Sequence, residues 1–308
     1  MELELITSKA SSLRDSLLQQ AGMAKKLNLL ERFVTEAPAN GPLDHYKSFT
    51  ATGRQILENI VTELGEQGQR VFLRAAILHG VARTSTSEFF LTLPKRVVFQ
   101  QISQFKRIVE DANVDADWLD IDKDLFQKEF GIATLRLYVA GSQLVDPRCG
   151  LPRSLLFRGP ASSWLRNIFN IARLGGFSPY FQIHTHQFML DTFNPEGWNE
   201  CYRCCADLYK VHPAALGMYG GSWFYDPALS AISPRLGYLR DVPQQGGAHL
   251  FFVEKGGSAL GNALATSSSR KELYEKGKYM PTNYMLVWGK NEQCAWAKSS
   301  PSSGVVTV

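Results

Sequence analysis

Apolar residues recur at three- and four-residue steps through the first hundred positions. Leu13, Leu17 and Leu18, then Leu27, Leu30 and Val34, fall along one side of a 3.6-residue helix. Residues 37–42, with Pro38, Gly41 and Pro42, end that pattern. Ile56, Ile60 and Leu64 predict an amphipathic helix over 52–64, and similar steps predict helices over 71–81 and, after Pro94, over 97–112. Residues 111–124 carry six aspartates and read as a solvated acidic connector. They lack the Gly and closing Glu of a calcium loop.

The period changes at Gly131. Leu135, Leu137 and Val139 alternate with their neighbours, which predicts a half-buried strand over 132–139. Residues 146–150 read as a turn and 155–157 as the returning strand. Beyond them a helix over 162–174 precedes a strand over 180–189. Asn194 and Pro195 then supply the N-cap and first position of a helix over 195–211. Strands over 216–224 and 249–253, a helix over 260–276, a strand over 284–288 and a short helix through Trp296 complete the pattern. Such alternation predicts an α+β or α/β fold. A helical N-terminal region, residues 1–130, is expected to pack on a C-terminal mixed sheet flanked by helices, residues 131–298, with a flexible tail at 299–308.

Composition narrows the class. Over 308 residues, 44% are apolar and 20% charged, which fits one large or two moderate folded domains and excludes a disordered chain. A net charge of +4 spread over this length gives no reason to expect nucleic acid as a partner. The acidic first positions carry no signal-peptide core, and no run of 18 apolar residues exists, so a cytoplasmic protein without a membrane partner is expected. The cysteines are odd in number, and Cys201, Cys204 and Cys205 crowd one helical turn. They read as reduced thiols packed in a core. His79, inside an apolar run, reads as a core histidine with satisfied nitrogens.

Three segments carry candidate chemistry. In Ile183-His184-Thr185-His186, strand alternation would aim both imidazoles to one face, where they could share a metal or divide acid and base roles. Asp191 follows in the next loop, and His249 opens a strand that could lie beside this one. His184, His186 and Asp191 are therefore candidate catalytic residues. His184, His186 and His249 are candidate ligands for iron or zinc. Phe188 and Met189 stand where metallo-β-lactamase-type hydrolases place an Asp and a His, so that family does not fit.

The second segment runs from Tyr219 through Gly220, Gly221, Ser222, Trp223, Phe224, Tyr225 and Asp226, with Arg235 and Arg240 following. Ser222, Trp223, Tyr225, Asp226, Arg235 and Arg240 offer stacking surface, hydrogen bonds and guanidinium forks, suited to a small carboxylate or phosphate-bearing substrate. The third is Gly256-Gly257-Ser258-Ala259-Leu260-Gly261, between a strand and a helix. Gly256, Gly257 and Gly261 would expose backbone N–H groups at a helix N-terminus to a phosphate. Read over Ser258, Gly261 and Ala263, the spacing resembles the coenzyme A pyrophosphate loop of the GNAT acyltransferases, with Ser258 in place of the family's Gln or Arg. That resemblance implies an acyl-type transferase with a coenzyme A-like donor.

Together these features predict an enzyme acting on a small molecule by group transfer, with a phosphate-bearing donor on residues 256–263 and His184 or His186 as base. A metal-dependent enzyme using His184 and His186 with His249 or Asp191 is the alternative. A non-catalytic ligand-binding or oligomer-forming module is the third reading.

Overall fold

The structure is a computed structural model and describes residues 2–111, 116–265 and 267–299. Residues 300–308 of the expected tail, and 112–115 of the acidic connector, lie outside the described residues. The chain divides into two units. The first holds the chain up to Ala140 together with Leu144–Arg148 and His186–Phe188. The second holds Gly141–Gln143, Cys149–Thr185 and the chain from Met189 on.

Among the described residues the first unit holds the helices α1 (Glu2–Gln20), α2 (Leu27–Glu36), α3 (Ala51–Ser85), α4 (Glu88–Thr92), α5 (Lys95–Glu110) and α6 (Asp124–Ala133). It also holds β1 (Tyr138–Ala140) and most of β2 (Gln143–Cys149). The helices expected over 52–64 and 71–81 meet end to end in α3, where Gly65 adopts φ 72° and ψ −178°. Thr50 caps α3, its Oγ1 accepting the Gly53 N–H at 3.1 Å. Phe33, Phe72, Phe126 and Phe130 are buried together, with ring centroids of neighbouring pairs 5.5–5.7 Å apart. That core explains α6, which the aspartate-rich sequence concealed: Phe126 and Phe130 are one helical turn apart. The strand expected over 132–139 shrinks to β1. Gly131, still helical, packs so closely under Leu137 that a Cβ there would stand 2.9 Å from Leu137 Cδ1. Leu135 then turns the chain at φ 56°. Buried Gln101 donates to Ile132 O at 2.8 Å and accepts from Val139 N at 3.0 Å, tying α5 to both ends of this turn.

In the second unit, strands and helices alternate: α7 (Trp164–Arg173), β3 (Tyr180–Thr185), α8 (Pro195–Leu208), β4 (Gly217–Ser222), α9 (Leu229–Ile232), α10 (Tyr238–Gln245), β5 (His249–Lys255), α11 (Ser258–Ala265), α12 (Ser268–Glu275), β6 (Thr282–Gly289) and α13 (Lys290–Ser299). Asn194 caps α8 as expected, accepting the Gly197 N–H at 2.8 Å. The six strands form one mixed sheet in the order β1-β2-β3-β4-β6-β5. β3 and β4 run parallel, while β4, β6 and β5 are antiparallel neighbours. On one face, Tyr180, Tyr219, Phe251 and Val287 pack with Leu155, Ile171 and Leu174. On the other, Phe181 stacks on Tyr209 at 4.9 Å and Trp288 meets Tyr202 edge-on at 5.3 Å. The buried thiols of Cys201, Cys204 and Cys205 lie on α8.

Four local expectations change. Residues 146–149 belong to strand β2, and Arg153–Phe157 is a 3-10 turn. β3 stops at Thr185, with a 3-10 turn over Gln187–Thr192. The helix expected over 260–276 is two helices, α11 and α12. The fold is mixed α/β, with a helical N-terminal region and a C-terminal sheet flanked by helices.

Candidate functional site

The His-x-His segment does not form a two-imidazole face. The alternation that would align the pair ends at Thr185, and His186 belongs to the first unit. There it is fully buried, with Nδ1 accepting the Phe188 N–H at 3.2 Å. That bond places the ring proton on Nε2, which faces Glu129 Oε1 at 3.0 Å, off the in-line direction of a hydrogen bond. Arg107 Nη2 donates to the same oxygen at 2.6 Å, and the Phe188 ring lies 4.6 Å from the Arg107 guanidinium. Burial pushes the Glu129 carboxyl up, but His186 and Arg107 outweigh it and hold Glu129 below the ordinary carboxylate range. His186 thus closes a buried ion cluster of the first unit.

His184 stays on β3, half-buried, in the second unit. The expected neighbour, His249, is on β5, with β4 and β6 in between. Three strand spacings of about 4.8 Å put the two chains roughly 14 Å apart, far beyond a shared ion's reach. Burial, assisted by Arg173, lowers the His249 pKa. Asp191 is exposed and caps its own turn, accepting the Thr192 N–H at 3.0 Å. The three-histidine site is therefore not assembled. His79 is satisfied: Nδ1 meets Arg14 at 2.9 Å and Nε2 faces Glu31.

The glycine loop opens a helix as expected, with Gly256 and Gly257 at φ 73° and 57°. Its anion position is filled by the chain itself. Glu254 Oε1 accepts Ser258 Oγ at 2.6 Å, the Ser258 N–H at 3.3 Å and Asn283 Nδ2 at 3.0 Å. Those bonds hold the Glu254 carboxyl below its usual range. A phosphate at the start of α11 would have to displace this carboxylate. Gly261 lies within α11 rather than in the loop.

The aromatic segment after β4 is built into the fold unevenly. Ser222 ends β4 and Tyr225 is buried, with its hydroxyl where a Cβ on Gly220 would be, 2.9 Å away. Asp226 is buried and accepts the Ala228 N–H at 3.0 Å, and burial raises its pKa. The Tyr279 hydroxyl neighbours Asp226. Burial, with the Asp226 carboxyl beside it, raises the Tyr279 pKa. Arg240 is committed to Asp241 and Ser230, both at 2.6 Å. Arg235 is exposed and has no carboxylate partner among the described residues.

Arg270 organises this region; by sequence it belongs, with Lys271, Lys276 and Lys278, to a basic patch expected to be a solvated helix face within reach of a phosphate, but it is buried. Arg270, 2% exposed, lays its guanidinium 4.6 Å from the Trp223 ring centroid, donates from Nε to Ala263 O at 2.7 Å, and from Nη1 to Ser233 Oγ at 3.2 Å. Burial lowers its pKa, and Arg235 adds to that shift. Ser267 caps α12 by accepting the Arg270 N–H. Residues 232–235 and 267–269 line a cavity of about 470 Å³, and none of them is acidic. The run Ser267-Ser268-Ser269 was the available sequence signal, since serine before a helical stretch marks an N-cap.

A second cavity, of about 270 Å³, lies in the first unit and is lined in part by Arg83, Arg136 and Arg148. Its arginines are already committed. Arg136 donates to the carbonyls of Ser48, Ala39 and His45, Arg148 to Asn40 Oδ1, and Arg83 pairs with Glu31. In comparisons with known proteins, the chain matches no family model, no curated protein and no solved structure.

Proposed function

We propose that the protein binds a small phosphate- or carboxylate-bearing molecule in the cavity between residues 232–235 and the start of α12. One observation carries this reading: a cavity of about 470 Å³ joins the uncommitted Arg235 to the α12 N-terminus, with no acid among its lining residues. The first N–H groups of a helix lack intrahelical acceptors, and its dipole favours negative charge there. Ser233, Ser268 and Ser269 add hydroxyl donors. Behind Ser233, the buried Arg270 guanidinium adds positive potential and is held in place by Ala263 and Trp223.

This reading keeps the small anionic ligand and the role of Arg235, and moves the phosphate from α11 to α12. A coenzyme A-like donor fits it with its phosphates at α12. Group transfer would further need a base at this cavity, and its lining residues supply none. Binding is the function this geometry supports best.

Calorimetry and thermal shift with inorganic phosphate, acetyl-coenzyme A, nucleotides and small dicarboxylates test it. A ligand present at about 100 times its Kd stabilises the folded chain by about 2.7 kcal/mol. At least one phosphate-bearing compound should raise the Tm of the wild type and lose that effect in Arg235→Ala. No shift from any compound, or equal shifts in wild type and Arg235→Ala, would overturn the proposal.

A further inference from the structure

The apolar side of α7 is turned outward. Leu165 is 81% exposed, Phe169 66%, Ile168 43% and Trp164 39%, and Phe157, 59% exposed, meets Trp164 edge-on at 5.5 Å. The opposite side buries Asn167, Ile171 and Leu174. Asn167 fixes the orientation: its Nδ2 donates to Leu155 O at 3.1 Å and Arg158 O at 3.4 Å, while Ile171 and Leu174 join the core against Tyr180 and Phe251. At about 100° per residue, Trp164, Leu165, Ile168 and Phe169 span one arc of the helix and Arg166 and Arg173 flank it. Both arginines are exposed.

The chain segment that carries this face is basic, with Glu254 near Arg158 and Glu292 near Arg173 on neighbouring elements. From Cys149 to Thr185 the chain carries Arg153, Arg158, Arg166 and Arg173 and not one Asp or Glu. A second copy docking here about a two-fold axis would oppose arginine to arginine, because such an interface presents the same patch to itself. Nucleic acid would leave Leu165 and Ile168 without an apolar partner. An anionic bilayer satisfies both halves: acyl chains take the aromatic and aliphatic side chains, and headgroups take the guanidinium groups.

We infer that α7, with the Arg153–Phe157 turn, is an interfacial anchor that docks the protein on the surface of an anionic lipid bilayer, lying in its plane. The expectation of no membrane partner rested on spanning segments. Among the described residues no helix is long and apolar enough to cross a membrane, and surface docking requires none. This anchor is independent of the anion cavity at α12 and uses none of its residues.

Co-sedimentation of the full chain with vesicles tests the inference, comparing phosphatidylcholine alone with phosphatidylcholine–phosphatidylserine mixtures. The wild type should bind the mixed vesicles, bind pure phosphatidylcholine weakly, and be released by salt. Leu165→Asp/Phe169→Asp changes only exposed side chains and should abolish binding while leaving the Tm unchanged. Arg153→Ala/Arg166→Ala should weaken it by roughly fivefold per arginine. Sedimentation velocity covers the other occupant. A wild-type dimer that Leu165→Asp/Phe169→Asp disperses, with no vesicle binding, would overturn the inference. So would vesicle binding that the double aspartate variant leaves intact.

Discussion

Glu129→Gln isolates the ion cluster that took up His186. The substitution keeps the side chain's shape and removes its charge, leaving the Arg107 guanidinium and the His186 ring without their shared anion. Glu129 and His186 are 1% and 0% exposed, so water cannot replace the lost contacts there. Arg107 is 24% exposed and hydrates in part. Removing one partner of a buried pair costs about 3–5 kcal/mol, and the partial hydration of Arg107 sets the expectation near the lower end, about 3 kcal/mol. That corresponds to a fall in Tm of roughly 6–12 °C. Urea unfolding of wild type, Glu129→Gln, His186→Ala and the double variant gives the coupling directly, and residues sharing one network should couple by about 1 kcal/mol or more. The pH dependence has a definite sign. The Glu129 pKa is depressed in the folded chain below its ordinary 4.5. Its contribution is therefore complete above about pH 4.5 and is lost as the pH falls through the folded value. Glu129→Gln should flatten that part of the acid limb. A loss under about 1 kcal/mol, or a double variant that is simply additive, would refute a buried, energetically coupled cluster.

Two further outcomes follow from the same geometry. Gly65→Ala in α3 should cost about 1–3 kcal/mol from backbone strain alone, since the position's φ and ψ suit only glycine and nothing lies within 4 Å of an added Cβ; an unchanged urea midpoint would contradict it. Elemental analysis of wild type and His184→Ala/His186→Ala should show equal metal content, because His186 is engaged with Glu129 and two strands separate His249 on β5 from β3. Near-stoichiometric zinc or iron that disappears in the double variant would overturn that assignment.

The amino-acid sequence by itself determined what depends on near neighbours. The cap at Asn194, the amphipathic periods of α2 and α3, the alternation of strands and helices after residue 160, and the opening of a helix after Gly257 are all set within a turn or two of the residues that cause them. The sequence also singled out Arg235, which lines the proposed ligand site, and Trp223, which holds Arg270 behind it, because guanidinium and indole chemistry is legible from residue type. Tertiary structure decided the rest. Periodicity marks which side chains share a face of α7, but Asn167's bonds to Leu155 and Arg158 choose which face is buried. Alternation places His184 and His249 on strands, while long-range pairing inserts β4 and β6 between them. Asn283 reaches Glu254, and Glu129 reaches His186, only once elements remote in sequence have packed. A side chain's partners are fixed by what folding brings within a few ångströms, and local pattern carries no record of that.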